Sequence, residues 1–111
     1  METINFDEKI IRNYIESIRP PVEIRKKLDL GYSFGSGQVI FFEIRPQWND
    51  DTKVHEYPFV KAKYVKSHKI WKIYWLRANG KWELYEPNPI VHSITSFIEI
   101  VEEDEHGCFR G

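Results

Sequence analysis

The sequence predicts an α+β fold: a five-stranded antiparallel meander with an N-terminal helix, a short second helix and a C-terminal helix packed on one face of the sheet. Three observations carry this prediction. Apolar residues recur at helical spacing before Pro20 and again after Ser93, while between Gly31 and Leu84 the period falls to two and is broken by glycine-bearing turn signals.

The first element is written in "NFDEKIIRNYIESIRPP", where Phe6, Ile10, Ile11, Tyr14, Ile15 and Ile18 form one stripe and Asn5 with Glu8 has the spacing of a capping pair. Pro20 and Pro21 end it, because proline lacks the donor and disfavours helical backbone in the residue before it. Pro21 suits the first turn of a second helix, "PVEIRKKL", with Val22, Ile24 and Leu28 as its apolar contacts and Gly31 closing the unit.

"GYSF" and "QVIFFEIR" then flank Gly35, Ser36 and Gly37, which read as a three-residue hairpin loop. That pairing sets Phe34 against Gln38 and Tyr32 against Ile40, and gathers Phe34, Phe42 and Ile44 on one face. The strand is expected to end at Pro46, with "QWNDDTKVHEYP" a polar loop. A "KSHK" turn sets Val65 against Ile70 and Lys63 against Lys72, so Tyr64 and Ala62 share a face with Trp71, Ile73 and Trp75. "NG" at Asn79 and Gly80 asks for a two-residue turn, which adds Trp82 and Leu84 to that face. The other face then collects Lys61, Lys63, Lys72, Tyr74, Leu76, Glu83 and Tyr85. After the prolines of "YEPNP", Ser93 caps a last helix with Ile94, Phe97, Ile98 and Val101 on its stripe. The helices are expected to cover the tryptophan face and leave the lysine face wet.

Length and composition fit one domain, residues 1–111. Apolar residues make up 41%, charged residues 30% and aromatics 15%, a globular composition that excludes disorder. The single cysteine cannot form an internal disulfide, the start has no basic segment leading into an apolar run, and no apolar stretch approaches the ~20 residues a membrane helix needs. A soluble, cytoplasmic protein with no membrane partner is expected. The net charge of −1 conceals blocks: residues 53–82 hold eight basic groups and one acidic, and residues 83–111 hold one basic and seven acidic. Two such blocks either serve separate partners or pair inside the fold, and the second is the simpler expectation.

Three clusters are candidates for function. Lys61, Lys63 and Lys72 with Tyr74 nearby, extended by Lys66 and Lys69, interleave cations and aromatics, which is what single-stranded nucleic acid or another anion grips. The plainer reading is an outward sheet face that must be polar in any case. Glu43 and Arg45 lie two apart on a strand near Trp48, so the guanidinium is a candidate to orient a carboxylate or phosphate, or simply to pair with Glu43 or stack on Trp48. Asp104, His106 and Cys108 offer oxygen, nitrogen and sulfur to a metal, but at none of the known zinc spacings. A thiol nucleophile at Cys108 would need a lowered pKa, which its acidic neighbours oppose. Cys108 and Phe109 fit better as small apolar groups tucked against the sheet, with Gly107 and Gly111 letting the chain turn. There is no glycine-rich phosphate loop, nucleophile elbow or paired-histidine motif. The residues therefore favour a binding or scaffolding module over an enzyme, name no cofactor, and leave a homodimer open.

The segments "RPP", "LDLGY", "FFEIRPQW", "KAKYVKSHKIWKIYWLRANGKWELYEP" and "DEHGCF" together resemble a bacterial family, domain of unknown function 3024, over nearly the whole chain. The resemblance implies a small bacterial protein and carries no activity, ligand or partner with it. Members commonly have an aspartate and a leucine where this chain has Asn79 and Gly80, and an aromatic where it has Arg110.

Overall fold

The computed structural model describes residues 2–110, with side chains from Phe6 onward. Helix α1 (Glu2–Ile18) leads through a single 3-10 turn (Val22–Ile24) into β1 (Asp29–Gly35), β2 (Gln38–Gln47), β3 (Asp50–Val65), β4 (Ile70–Leu76) and β5 (Trp82–Leu84). A two-residue strand, β6 (Ile90–Val91), precedes α2 (Ile94–Glu103). The first five strands form an open antiparallel meander in chain order, and β6 adds to β4 beside β5. The fold is α+β, as the sequence predicts.

Both helices lie on one side of the sheet. Ile11 and Ile15 of α1 and Ile94, Phe97 and Val101 of α2 are buried against Val39, Phe41, Val60, Ala62, Trp71 and Ile73 in one continuous cluster. Phe41 stands at its centre, its ring 5.3 Å from that of Phe97 and 6.0 Å from that of Tyr14. Ser93 caps α2 as expected, its hydroxyl accepting from the Ser96 N–H at 3.1 Å. The "KSHK" turn keeps its expected register, with Val65 opposite Ile70 and Lys63 opposite Lys72.

Several expectations are corrected. Asn5 is inside α1 rather than at its cap, since the helix starts at Glu2. Phe6 is 64% exposed, because the stripe dips into the core only from Ile10 onward. The second helix shrinks to one 3-10 turn, and Val22 and Ile24 are exposed. Gly31 lies within β1, where the ring of Phe42 covers it so closely that a Cβ would stand 2.7 Å from Cε1.

Two hairpin loops differ by one residue from the expected count, and each moves a strand's side chains to the other face. Ser36 and Gly37 both take positive φ, 53° and 74°, so the first loop has two residues: Gly35 pairs Gln38, Phe34 pairs Val39 and Tyr32 pairs Phe41. Phe34 therefore faces the core side, while Phe42 and Ile44 face away. The second loop is longer than expected. Gly80 N–H donates to the Arg77 carbonyl and Arg77 N–H to the Lys81 carbonyl, which leaves Ala78, Asn79 and Gly80 as a three-residue loop with Gly80 at φ 84°. Leu76 now faces Trp82, and Tyr74 faces Leu84. Trp82 and Leu84 thus join the lysine face, and Tyr85 goes to the core at 1% exposure.

The segment expected as a polar loop is a two-stranded arm. β2 continues through Pro46 to Gln47, turns at Trp48 and Asn49, and returns as β3 from Asp50. The arm leaves the core at a register shift between Phe41 and Phe42, and residues 51–58 are exposed on both faces. A second shift near Gln47 and Pro58 on the returning strand break its outer edge, which limits pairing with other chains.

The acidic tail does not dock on the lysines. Asp104 closes α2 in the left-handed region at φ 41°, and its carboxylate accepts the N–H groups of Phe109 at 3.1 Å and Arg110 at 2.9 Å. The tail's own backbone thereby offsets the unfavourable charge at the helix end. Phe109 packs on Tyr85 at 4.8 Å between ring centres, so the end of the chain is a packed closure, and Gly107 turns it at φ 65°.

Candidate functional site

The uncovered face of the sheet is built by alternation. The residues that pair across it are Lys63 with Lys72 and with Gln38, Lys61 with Tyr74 and with Ile40, and beyond them Tyr74 with Leu84 and Leu76 with Trp82. Their partners on the other side of each strand fill the core, which fixes the orientation. Phe42 continues the face over Gly31.

At the centre of this face, Lys61 Nζ lies 5.1 Å from the ring centre of Tyr74 and 4.9 Å from that of Trp82. Both rings offer their electron-rich faces to the ammonium. Burial, and then the Lys63 ammonium, push the Lys61 pKa down. Lys63 and Lys72 stand directly opposite one another, a like-charge cross-strand pair that costs stability and sums to a positive field over the aromatic platform. Lys66 and Lys69 extend the patch into the adjoining turn. The sequence reading missed Trp82. Its placement depends on whether "RANGK" folds as a two- or a three-residue loop, and Gly80 satisfies either one.

Glu43, Arg45 and Trp48 do come together, around a cleft of about 480 Å3 that Pro46 and Tyr57 complete. The Arg45 guanidinium donates to Glu43 Oε1 at 2.6 Å, and Arg110 Nε reaches Glu43 Oε2 at 3.5 Å. Glu43 is thus held between two guanidiniums. Arg45 is paired with Glu43, and Trp48, 94% exposed, stands at the arm's tip.

At the tail, both Asp104 oxygens are taken by backbone donors, the His106 ring lies 6.4 Å from that of Tyr85, and Cys108 packs against the core with Sγ 3.9 Å from the His106 carbonyl. Burial, followed by Asp104 and Glu83, raises the Cys108 pKa, the opposite of what a reactive thiolate needs. Among the described residues no three His, Cys, Asp or Glu side chains gather as a metal cage. No helix there is long and apolar enough to cross a membrane.

A cavity of about 200 Å3 lies on the helix side of the sheet, between α1, α2 and the tail. Tyr14, Phe41, Phe59, Glu102, Asp104 and Arg110 line it. No sequence signal could have assembled it, since its walls come from four separate parts of the chain.

Neither a comparison with curated proteins nor one with solved structures finds a match. Among protein families, the model described as Domain of unknown function (DUF3024) matches residues 2–111, and the chain belongs to that family.

Proposed function

We propose that the protein is a binding module whose open sheet face holds single-stranded nucleic acid, with Tyr74 and Trp82 stacking bases and Lys61, Lys63 and Lys72 contacting phosphates. One observation carries the reading: an ammonium between two aromatic rings, on a sheet face that neither helix covers, beside two further lysines. Such a face presents a π-surface to every base and cations to the backbone, and so needs no base-specific hydrogen bonds. Face-to-face docking of a second copy is the weaker use of this surface, because a two-fold axis would bring its lysines against their own images.

Binding of a labelled oligothymidylate, followed by fluorescence anisotropy, tests this. Three phosphate contacts on a single strand predict a loss of about 20-fold in affinity between roughly 50 and 200 mM salt. Trp82→Ala should weaken binding by about 1–3 kcal/mol, one stacked base, and a matched duplex should bind less well. Absent or salt-independent binding, or binding untouched by Trp82→Ala, defeats the proposal.

A further inference from the structure

The cavity on the helix side is chemically unlike the lysine face, from which the sheet separates it. Its floor is aromatic, with the Phe41 ring 6.0 Å from Tyr14 and 6.4 Å from Phe59. One wall is acidic. Tyr14 donates its hydroxyl to Glu102 Oε2 at 2.6 Å, and among the described residues Oε1 of Glu102 has no protein donor. Burial, and then the bond to Glu102, push the Tyr14 phenol well up, so it remains a neutral donor that fixes the carboxylate in place. The one cation on the lining, Arg110, is already engaged: its Nε lies 3.5 Å from Glu43, and its Cζ lies 5.7 Å from the centre of the Phe59 ring. Arg110 shows in the chain itself that these walls accept a guanidinium.

From this we infer a second binding site, for a small organic cation such as an alkylammonium or alkylguanidinium with a short apolar stem. The charged head would sit against Glu102 and the aromatic faces, and the stem along Phe41 and Phe59. The charge balance opposes a carboxylate ligand. Among the described lining residues Glu102 and Asp104 outnumber the one cation, Arg110, whose Nε also lies 3.5 Å from Glu43. A volume of about 200 Å3 falls below the ~300–1,000 Å3 of drug-sized pockets and so fits a ligand of only a few heavy atoms.

Titrating the full-length protein with n-butylammonium, n-butylguanidinium, n-butanol and butyrate, followed by amide chemical shifts, tests the site. The two cations should give saturable shifts at Tyr14, Phe59, Glu102 and Arg110, with butanol weaker and butyrate inert. Glu102→Gln, at an exposed position where the amide oxygen can still accept from Tyr14, should weaken the cations by about fivefold, the scale of one partly exposed charge contact. Arg110→Ala should tighten them, because it removes the competing guanidinium from Phe59. Absence of saturable shifts overturns the inference, as does butanol binding as tightly as the cations, which would mean an apolar hole. Loss of cation binding in Arg110→Ala overturns it too, since Arg110 would then be building the site rather than competing for it.

Discussion

An alanine at position 31 would set its Cβ 2.7 Å from Cε1 and 3.1 Å from Cζ of Phe42, closer than carbon atoms tolerate. Ile44 Cδ1, 3.4 Å from the same point, crowds the added methyl further, so the Phe42 ring has to shift. Gly31→Ala should therefore destabilise the protein by about 1–3 kcal/mol in urea unfolding, as overpacking does. Gly35→Ala, with nothing within 4 Å, should stay close to wild type. Asp29 gives a pH signature of its own. Arg19 holds it with two hydrogen bonds, from Nε at 2.9 Å and Nη2 at 2.8 Å, and this pairing lowers the Asp29 pKa, with the Leu30 N–H adding to the effect. Because the folded pKa lies below the unfolded value, the contribution is fully present above the ordinary carboxylate range of about 4 and fades as pH falls through the folded value. Asp29→Asn should melt below wild type at neutral pH, and thermal scans should find that gap closing as the solution is acidified. A gap that held constant down to about pH 2 would mean that the carboxylate's charge does not contribute.

At the scale of elements, Ser93→Ala should cost about 0.5–2 kcal/mol, because the orphan Ser96 N–H loses its acceptor. This cap was legible in the sequence, as were the α2 stripe, the "KSHK" hairpin and the closure of α1 at its prolines, since each rests on a local signal that nothing distant overrides. The loops were less legible, for one physical reason. A hairpin's face assignment depends on the parity of its loop, and both "GSG" and "ANG" can close with either parity, because glycine supplies positive φ wherever it is needed. One residue of error at Ser36–Gly37 grouped Phe34 with Phe42 and Ile44, which the structure puts on the opposite face, and one at Gly80 hid Trp82 from the lysine face and Tyr85 from the core. The β2–β3 arm was invisible for a different reason. Its returning strand is exposed on both sides, so no burial pattern marks it, and Pro46 suggested a strand end where the chain continues. Gly80→Ala checks the corrected loop: with φ at 84° it should destabilise by about 1 kcal/mol through backbone strain.

Across the whole molecule, the basic and acidic blocks of the sequence meet in one ion pair among the described residues, Arg77 with Glu83. The ion pairs among the described residues join Arg19 to Glu16 and Asp29, Arg45 and Arg110 to Glu43, and Arg77 to Glu83, and none involves Lys61, Lys63 or Lys72. No ion pair therefore ties those lysines into the fold, and where Lys63 opposes Lys72 the like charges work against it. Stability and binding should then respond to one substitution with opposite signs. Lys63→Glu converts a like-charge cross-strand pair into an attractive one and should raise unfolding free energy by about 0.2–1 kcal/mol, most clearly at low salt. The same change removes one phosphate contact and adds a repelling carboxylate, so oligonucleotide affinity should fall and the slope of log affinity against log salt should shrink by about 0.7. Urea unfolding and anisotropy on the same preparation measure both quantities. A variant more stable and weaker in binding is what a face kept positive for a ligand produces. A variant less stable would mean that Lys63 supports the structure, and one with unchanged binding would remove this face from the function.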